Sequence, residues 1–598
     1  MTRLTRNDSN LSYGINDKIP NWTLCILFGL QNFLTSFGSM IGIPKMISSF
    51  VCMDKGTYIT NKLQSKMLRT SFFCSGICTL LQVNYGIRLP IVQGANVAFF
   101  AALSSFLLAL GPDNSMGIAI GANKACPKEL TNENGTFILS DDGQFQYEYP
   151  WNPKLQGSEQ IFTEEQVSNH QMQQLQGVII IGGLIEILLG FSGVIGFLLN
   201  YVSKLTICVV LTILALSLFK IATFTAYWPI TALVIILVIV FSHVLDQVEV
   251  KVPGLNEKLK IFKLFPVFLS IVITWLVCII GNNFGIFDEP WGEDPSNVNE
   301  IYPPPETAKK FAKPATNAEF VKNAAWFEMP HPFSWSSGQI SPWEFVNFPL
   351  SAAIGMLSGV FASVLESIGD YYALAQICEV RKPPKSAVNR GIFFEGVGTV
   401  IGGIFGTGNG MTSYSENIGT ITITGVASRI VCITEAVMLL FIGCLEKFSS
   451  LIISMPGAVI SGVYCTMFGM ITGVGLSNLE YVDLGKSRNC LILGISMFMA
   501  MAIPEWFASN PGAVDSTILN VLMSNNMFVG GFTCALLDNV LKGYSEKREK
   551  APLKMVEQED VEESENLMAR TEKIEKDVYQ LPFTIPKSFQ KWPIFKND

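Results

Sequence analysis

Gly406-Thr407-Gly408-Asn409-Gly410-Met411-Thr412-Ser413-Tyr414-Ser415-Glu416-Asn417-Ile418-Gly419 is the stretch on which the fold turns. It lies between apolar runs at 391–406 and 428–446. Closely spaced glycines, a row of hydroxyls and one acid bar it from being a continuous lipid-facing helix. Non-helical backbone persists at membrane depth only where protein buries it or where it lines a cavity. A second stretch of this kind, Pro90-Ile91-Val92-Gln93-Gly94-Ala95-Asn96-Val97-Ala98-Phe99, occurs early in the chain. Both read as broken spans containing short extended segments, and paired broken spans point to a binding site near the bilayer midplane.

The surrounding sequence agrees. Of 598 residues, 49% are hydrophobic and 15% charged, against roughly 25% charged in a soluble domain. So little charge cannot coat a soluble globule of this size. Apolar runs predict spans at 22–44, 69–87, 90–110, 176–199, 203–223, 228–245, 264–281, 346–375, 391–406, 412–425, 428–446, 449–476, 489–507 and 525–541. The broken stretches are the third and tenth. Glu186 in the fourth and Glu435 in the eleventh sit in similar apolar settings, again seven spans apart. An odd offset reverses helix direction, so a seven-plus-seven duplication would be inverted, as in many secondary transporters. The expected fold class is an all-α polytopic membrane protein of about 14 transmembrane helices, arranged as a 7+7 inverted repeat.

The net charge of −8 offers no basic surface for nucleic acid. Lys251, Lys258, Lys260 and Lys263 fall in one short loop, and Arg381, Lys382, Lys385 and Arg390 in another. The positive-inside rule places both loops, and with them both termini, in the cytoplasm. Lys45, Lys55, Lys62, Lys66 and Arg69 argue the other way, because they would lie outside. The polar inserts 111–175 and 282–345 also fall outside, and the sequon at Asn134 makes it the expected glycosylation site. Most of the 13 cysteines sit in apolar runs and read as packing residues. Cys52 and Cys126 lie in two loops on the outer face, where a disulfide between them stays open. The charged tail after Leu541 reads as solvated.

Glu366 and Asp370, four apart, share one face of the eighth helix. Glu416 opens the second half of the tenth span, and Glu395 lies in the ninth. An ionised acid at mid-membrane costs at least about 2.5 kcal/mol, so acids gathered in adjacent segments imply a wet or paired site. Two carboxylates facing one cavity match the ring N–H groups of a nucleobase, and Tyr414 offers a ring to stack on it. A further acid, with carbonyls from a broken helix, suits Na+ or a proton. The Gly406–Gly410 run lacks the Gly-Lys-Ser/Thr ending of a phosphate loop, and His170, His243 and His331 lack metalloprotease spacing. No enzyme and no organic cofactor is expected. An ion channel and an intramembrane hydrolase are the other readings that paired acids admit; alternating access suits paired broken spans better.

Cys126-Pro127, Glu366-Ser367-Ile368-Gly369-Asp370-Tyr371-Tyr372, Asn389-Arg390-Gly391-Ile392-Phe393, Gly406 to Gly410, Glu416 to Thr424 and Trp592-Pro593-Ile594-Phe595 occur in this order. Together they resemble the nucleobase-ascorbate transporter family, solute carrier family 23, over roughly residues 20 to 595, nearest its vertebrate sodium-coupled branch. The resemblance implies a cytoplasmic N-terminus (1–20), a core domain (21–199 and 346–446), a gate domain (200–281 and 447–541), an extracellular loop (282–345) and a cytoplasmic tail (542–598). The core would move like an elevator against a gate that is often dimeric. By motif position Glu366 and Glu416 would hold the base, helped by Ser415, Tyr414, Asn417 and the backbone near Val97. Asp370 and Asn96 would couple the ion, with Asp370 as the Na+ ligand.

The resemblance also bears on cargo. The family's vertebrate ascorbate carriers have proline in place of Glu416 and a serine-rich run in place of Ser413-Tyr414-Ser415. A carboxylate at that position favours uracil, guanine or a related base. Val97 stands where many members have phenylalanine, which weakens stacking from the third span. The implied function is sodium-coupled import of nucleobases across the plasma membrane by a homodimer; ascorbate transport on the same fold is the alternative.

Overall fold

The computed structural model describes residues 14–15, 22–50, 58–95, 99, 128–129, 146–148, 161–195, 203–245, 247–251, 258–259, 261–287, 318–335, 350–477, 479, 482–510, 514, 516–541, 578–581 and 592–593. It is mostly helical. In chain order come α1 (Trp22–Phe50), α2 (Tyr58–Asn84), strand β1 (Gln93–Ala95), α3 (Glu164–Ser192), α4 (Lys204–Leu216), α5 (Trp228–Ile239) and α6 (Pro266–Asn283). The second half runs α7 (Leu350–Ile377), α8 (Lys385–Phe405), strand β2 (Met411–Ser413), α9 (Ser415–Thr424), α10 (Arg429–Gly443), α11 (Glu446–Ile453), α12 (Gly457–Ser477), α13 (Ser487–Ser509) and α14 (Asn526–Val540).

Among the described residues, five helices are long and apolar enough to cross a membrane, or six if the bent pair α10 and α11 is one span. α4 and α5 are apolar but shorter. Boundaries differ from the sequence expectation in four places. α2 begins at Tyr58 and α3 at Glu164, each more than two turns earlier than the apolar run, because helix continues into the polar approach. The expected fifth span stops at Leu216 and resumes as a short helix, Phe219–Phe224. The expected span 449–476 is divided: α11 lies at 85° to α10, and α12 starts afresh at Gly457, just after Pro456. The tail is not solvated throughout. Val578 and Tyr579 are buried, Arg390 donates to the Tyr579 carbonyl at 2.7 Å, and Trp592 meets Phe191 edge to face.

Small residues let the helices meet backbone to backbone, as membrane helices favour. A Cβ on Gly190 would lie 2.5 Å from the Phe393 nitrogen, and one on Gly183 2.7 Å from the Val400 nitrogen, so α3 lies directly along α8. α2 and α10 meet in the same way, with Gly76 against the Ala436 carbonyl (2.7 Å) and Gly443 against the Phe73 nitrogen (2.6 Å). α1 packs on α10, and α7 packs on α3. A second group forms where α12 packs on α4 and α5, and α14 on α4 and α13. α7 touches α4, and α1 touches α12, where the two groups meet.

Candidate functional site

The two broken stretches meet as an antiparallel ladder. Gln93 pairs with Ser413, Gly94 with Thr412 and Ala95 with Met411. Glycine makes the approach to β2 possible. Gly406 ends α8 in the left-handed region (φ 78°), returning its N–H to the Gly402 carbonyl at 2.9 Å, and Gly408 repeats that conformation (φ 75°). The Tyr414 N–H donates to the Val92 carbonyl at 3.0 Å, and α9 starts at the next residue.

α7 lies across this ladder. Ser363 and Ser367 each reach the Thr412 hydroxyl at 2.9 Å, and Ser415 donates to Asp370 Oδ1 at 2.8 Å. Asp370 is almost fully buried, and Glu366 is half-buried one turn earlier on the same helix. Of the expected site residues, Asp370, Glu366 and Ser415 are thus gathered where α7 faces the start of α9. Glu416 occupies the second position of α9, but its side chain lies outside the described residues, as do Asn96, Val97, Asn134, Cys52 and Cys126.

Two expected contacts fall differently. The Tyr414 hydroxyl donates to the Ala95 carbonyl at 2.9 Å, and any side chain at Gly94 would run into its ring. Tyr414 is buried and joins the two broken segments, so packing on β1 occupies a ring that was read as a stacking surface. Asn417 donates to the Asn32 carbonyl at 3.2 Å and to Glu435 Oε1 at 3.5 Å. Two residues beyond Ser415, about 200° around the helix, it faces α1 and α10 instead of α7.

Behind the ladder stands Glu395 of α8, which the sequence marked without assigning a role. Its Oε1 accepts from Tyr371 at 2.8 Å, from Gln93 at 3.3 Å and from Ser413, while Gln82 donates to the Tyr371 hydroxyl at 2.6 Å. One helical turn on, Thr399 donates to Glu186 Oε2 at 3.2 Å and accepts from the Met411 N–H at 3.1 Å. The polar residues that interrupt the first apolar run also have partners. Ser36 reaches Glu435 Oε1 at 3.3 Å, and Thr420 donates to Asn32 Oδ1 at 2.7 Å. Their signal was present as polar residues inside an apolar run; their partners, hundreds of residues away, were not legible.

Residues 318–335 form a strap over one end of these helices. The Glu328 N–H donates to the Cys444 carbonyl (2.9 Å), the Phe333 N–H to the Ile404 carbonyl (2.8 Å) and Trp335 Nε1 to the Gly406 carbonyl (3.0 Å). Arg69 pairs with Glu328 at 2.7 Å, while Lys66 donates to the Ser334 carbonyl at 2.6 Å and sits 3.9 Å from the Trp335 ring centre. Two of the five cations that opposed the positive-inside reading are therefore tied to this strap. The Arg69 hydrogen bond holds the Glu328 carboxyl below the usual carboxylate range. Among the described residues no group of three or more His, Cys, Asp or Glu side chains is placed to hold a metal ion.

Comparison with known proteins agrees with this architecture. A sequence profile described as "Permease family" matches residues 24–126 and 152–509. The chain is 37% identical to rat solute carrier family 23 member 2 over 553 residues, covering 90% of this chain and 76% of the relative. It is 34% identical to rat solute carrier family 23 member 1 over 555 residues, covering 90% and 82%. Nucleobase-ascorbate transporter 1 of Arabidopsis thaliana is 24% identical over 568 residues, covering 90% and 91%.

Proposed function

This chain belongs to the permease family, within it to solute carrier family 23, and is a multi-pass membrane transporter; from that premise we propose that it imports nucleobases such as uracil or guanine together with Na+. The observation that carries the reading is the Ser415–Asp370 hydrogen bond. It joins the start of α9, the half-helix on which Glu416 is the second residue, to the helix face of Glu366 and Asp370. A base presents ring N–H donors to Glu366 and Glu416, and Ser415 adds a hydroxyl. Asp370, together with Asn96, takes the Na+. Aligned hard oxygens suit that ion.

The alternating-access movement we propose is an elevator. α1–α3 and α7–α10 form the moving core, and α4–α6 and α12–α14 form the gate, consistent with the two packing groups. The 7+7 inverted arrangement is supported by reciprocity of contacts. α3 on α8 corresponds under the seven-span offset to α10 on α2, and α7 on α3 to α1 on α10. The antiparallel sense of β1 and β2 is what inversion requires. The plasma membrane, cytoplasmic termini and a homodimer complete the proposal.

Radiolabelled uptake of uracil, guanine and ascorbate, each in sodium and in choline medium, tests the function. Sodium-dependent uptake of a base without ascorbate is the expected result. Ascorbate uptake alone would overturn the cargo. Glu416→Pro is the sharpest variant, because the first turn of a helix tolerates proline and the carboxylate is lost; base uptake should disappear while surface delivery persists.

A further inference from the structure

A second feature lies on the opposite side of α9 from Ser415. Asn32 and Ser36 of α1, Asn417 and Thr420 of α9, and Glu435 of α10 form a closed polar cluster; Glu435 is fully buried and Asn417 is 3% exposed. Glu435 Oε1 accepts from Ser36 at 3.3 Å and from Asn417 Nδ2 at 3.5 Å. Glu435 Oε2 and Asn417 Oδ1 are buried acceptors to which no group among the described residues donates. The Asn417 amide is fixed in this sense by its donation to the Asn32 carbonyl at 3.2 Å, and reversing it would lose that bond.

Two neighbouring acceptors without a donor are costly in a dry interior, and the groups reaching Glu435 are all uncharged. A proton on Oε2 pairs it with Asn417 Oδ1 and uses only those two oxygens, whereas a cation also engages further oxygens of the cluster. The ligand atoms are carboxylate and amide oxygens, with the Thr420 hydroxyl and Asn32 Oδ1 in the same cluster, and no nitrogen or thiolate ligand. Such a set suits a hard cation. One carboxylate balances one positive charge. We infer that Glu435 and Asn417 hold a monovalent metal cation, with Na+ as the physiological candidate, in a site between α1, α9 and α10 distinct from Asp370.

The site acts on transport through α9. A cation there fastens the back of the half-helix whose front presents Ser415, so occupancy steadies the substrate side without touching cargo. By linkage, cargo then raises cation affinity by the factor that the cation raises cargo affinity.

The test is equilibrium binding of radiolabelled Na+ to the full-length chain purified in detergent, at constant ionic strength with choline and without any base. Because no cargo enters the assay, its outcome is separable from failure of the nucleobase reading. Asp370→Asn should retain sodium binding, and adding Glu435→Gln should weaken it at least tenfold in a protein that still elutes as a single species. Asn417→Ala, which keeps the acid and removes Oδ1, serves as the second variant and should also weaken binding at least tenfold. Sodium binding unchanged by Glu435→Gln, or absent from Asp370→Asn at every concentration, would overturn the site; in the latter case the missing partner is a proton or a water.

Discussion

Glu395 shows how a buried acid can organise a site without facing it. Three donors from α7, β1 and β2 converge on one of its oxygens, so the carboxylate fixes the register in which the broken segments cross. Glu395→Ala would strand the Tyr371, Gln93 and Ser413 donors, at about 1–3 kcal/mol for each group left unpaired in the interior. Thermal unfolding in detergent should show a large loss for Glu395→Ala and a small one for Glu395→Gln, which keeps an acceptor. Ser415→Ala removes a hydrogen bond to a charged group, worth at least about 1.5 kcal/mol, and should weaken apparent base affinity about tenfold in concentration-dependent uptake. The acids themselves were legible, because charge in an apolar run is conspicuous. Their partners were not. Nothing local in Gln82 or Asn32 distinguishes a residue that braces an acid from one that faces a cavity, and motif proximity alone does not register that Asn417, two steps of 100° beyond Ser415, meets Asn32 and Glu435.

At the scale of elements, the glycine-rich breaks were the most readable part of the fold, and both became strands at the expected places. Interruption of an apolar run is a local property. The 85° bend between α10 and α11 falls at the expected boundary near 446–449, whereas the break between α11 and α12 was missed because the sequence stays mostly apolar from Leu451 to Val463, leaving only Pro456 as punctuation. The glycines of α3 and α8 carry a quantitative expectation. Gly190→Ala would place a methyl 2.5 Å from the Phe393 nitrogen and should cost about 1–3 kcal/mol by overpacking. Gly494→Ala in α13, whose Cβ meets nothing within 4 Å, should be neutral or gain slightly from helix propensity. Comparing the two by thermal unfolding separates interhelical approach from backbone entropy.

For the whole molecule, the strap at 318–335 binds the middle of α2 to the ends of α8 and α10, so these helices are held as one piece. Glu328 gives that tie a pH dependence. Its folded carboxyl titrates below the unfolded value of about 4.3, so its contribution is present above that pH and is lost as pH falls through the folded value. Wild type and Glu328→Gln should differ in thermal stability at pH 7 and converge as pH falls through the folded value of Glu328. The ladder of β1 and β2 has a consequence for how the protein is made. Its partners are 320 residues apart in the chain, which at about 5–20 residues per second of synthesis is about 16–64 seconds. For that interval the backbone groups of β1 are in or beside the bilayer with no strand to pair with. The nascent chain therefore depends on shelter at the insertion machinery until its second half arrives, and a premature stop before Met411 leaves a product with an open β edge, marked for quality control.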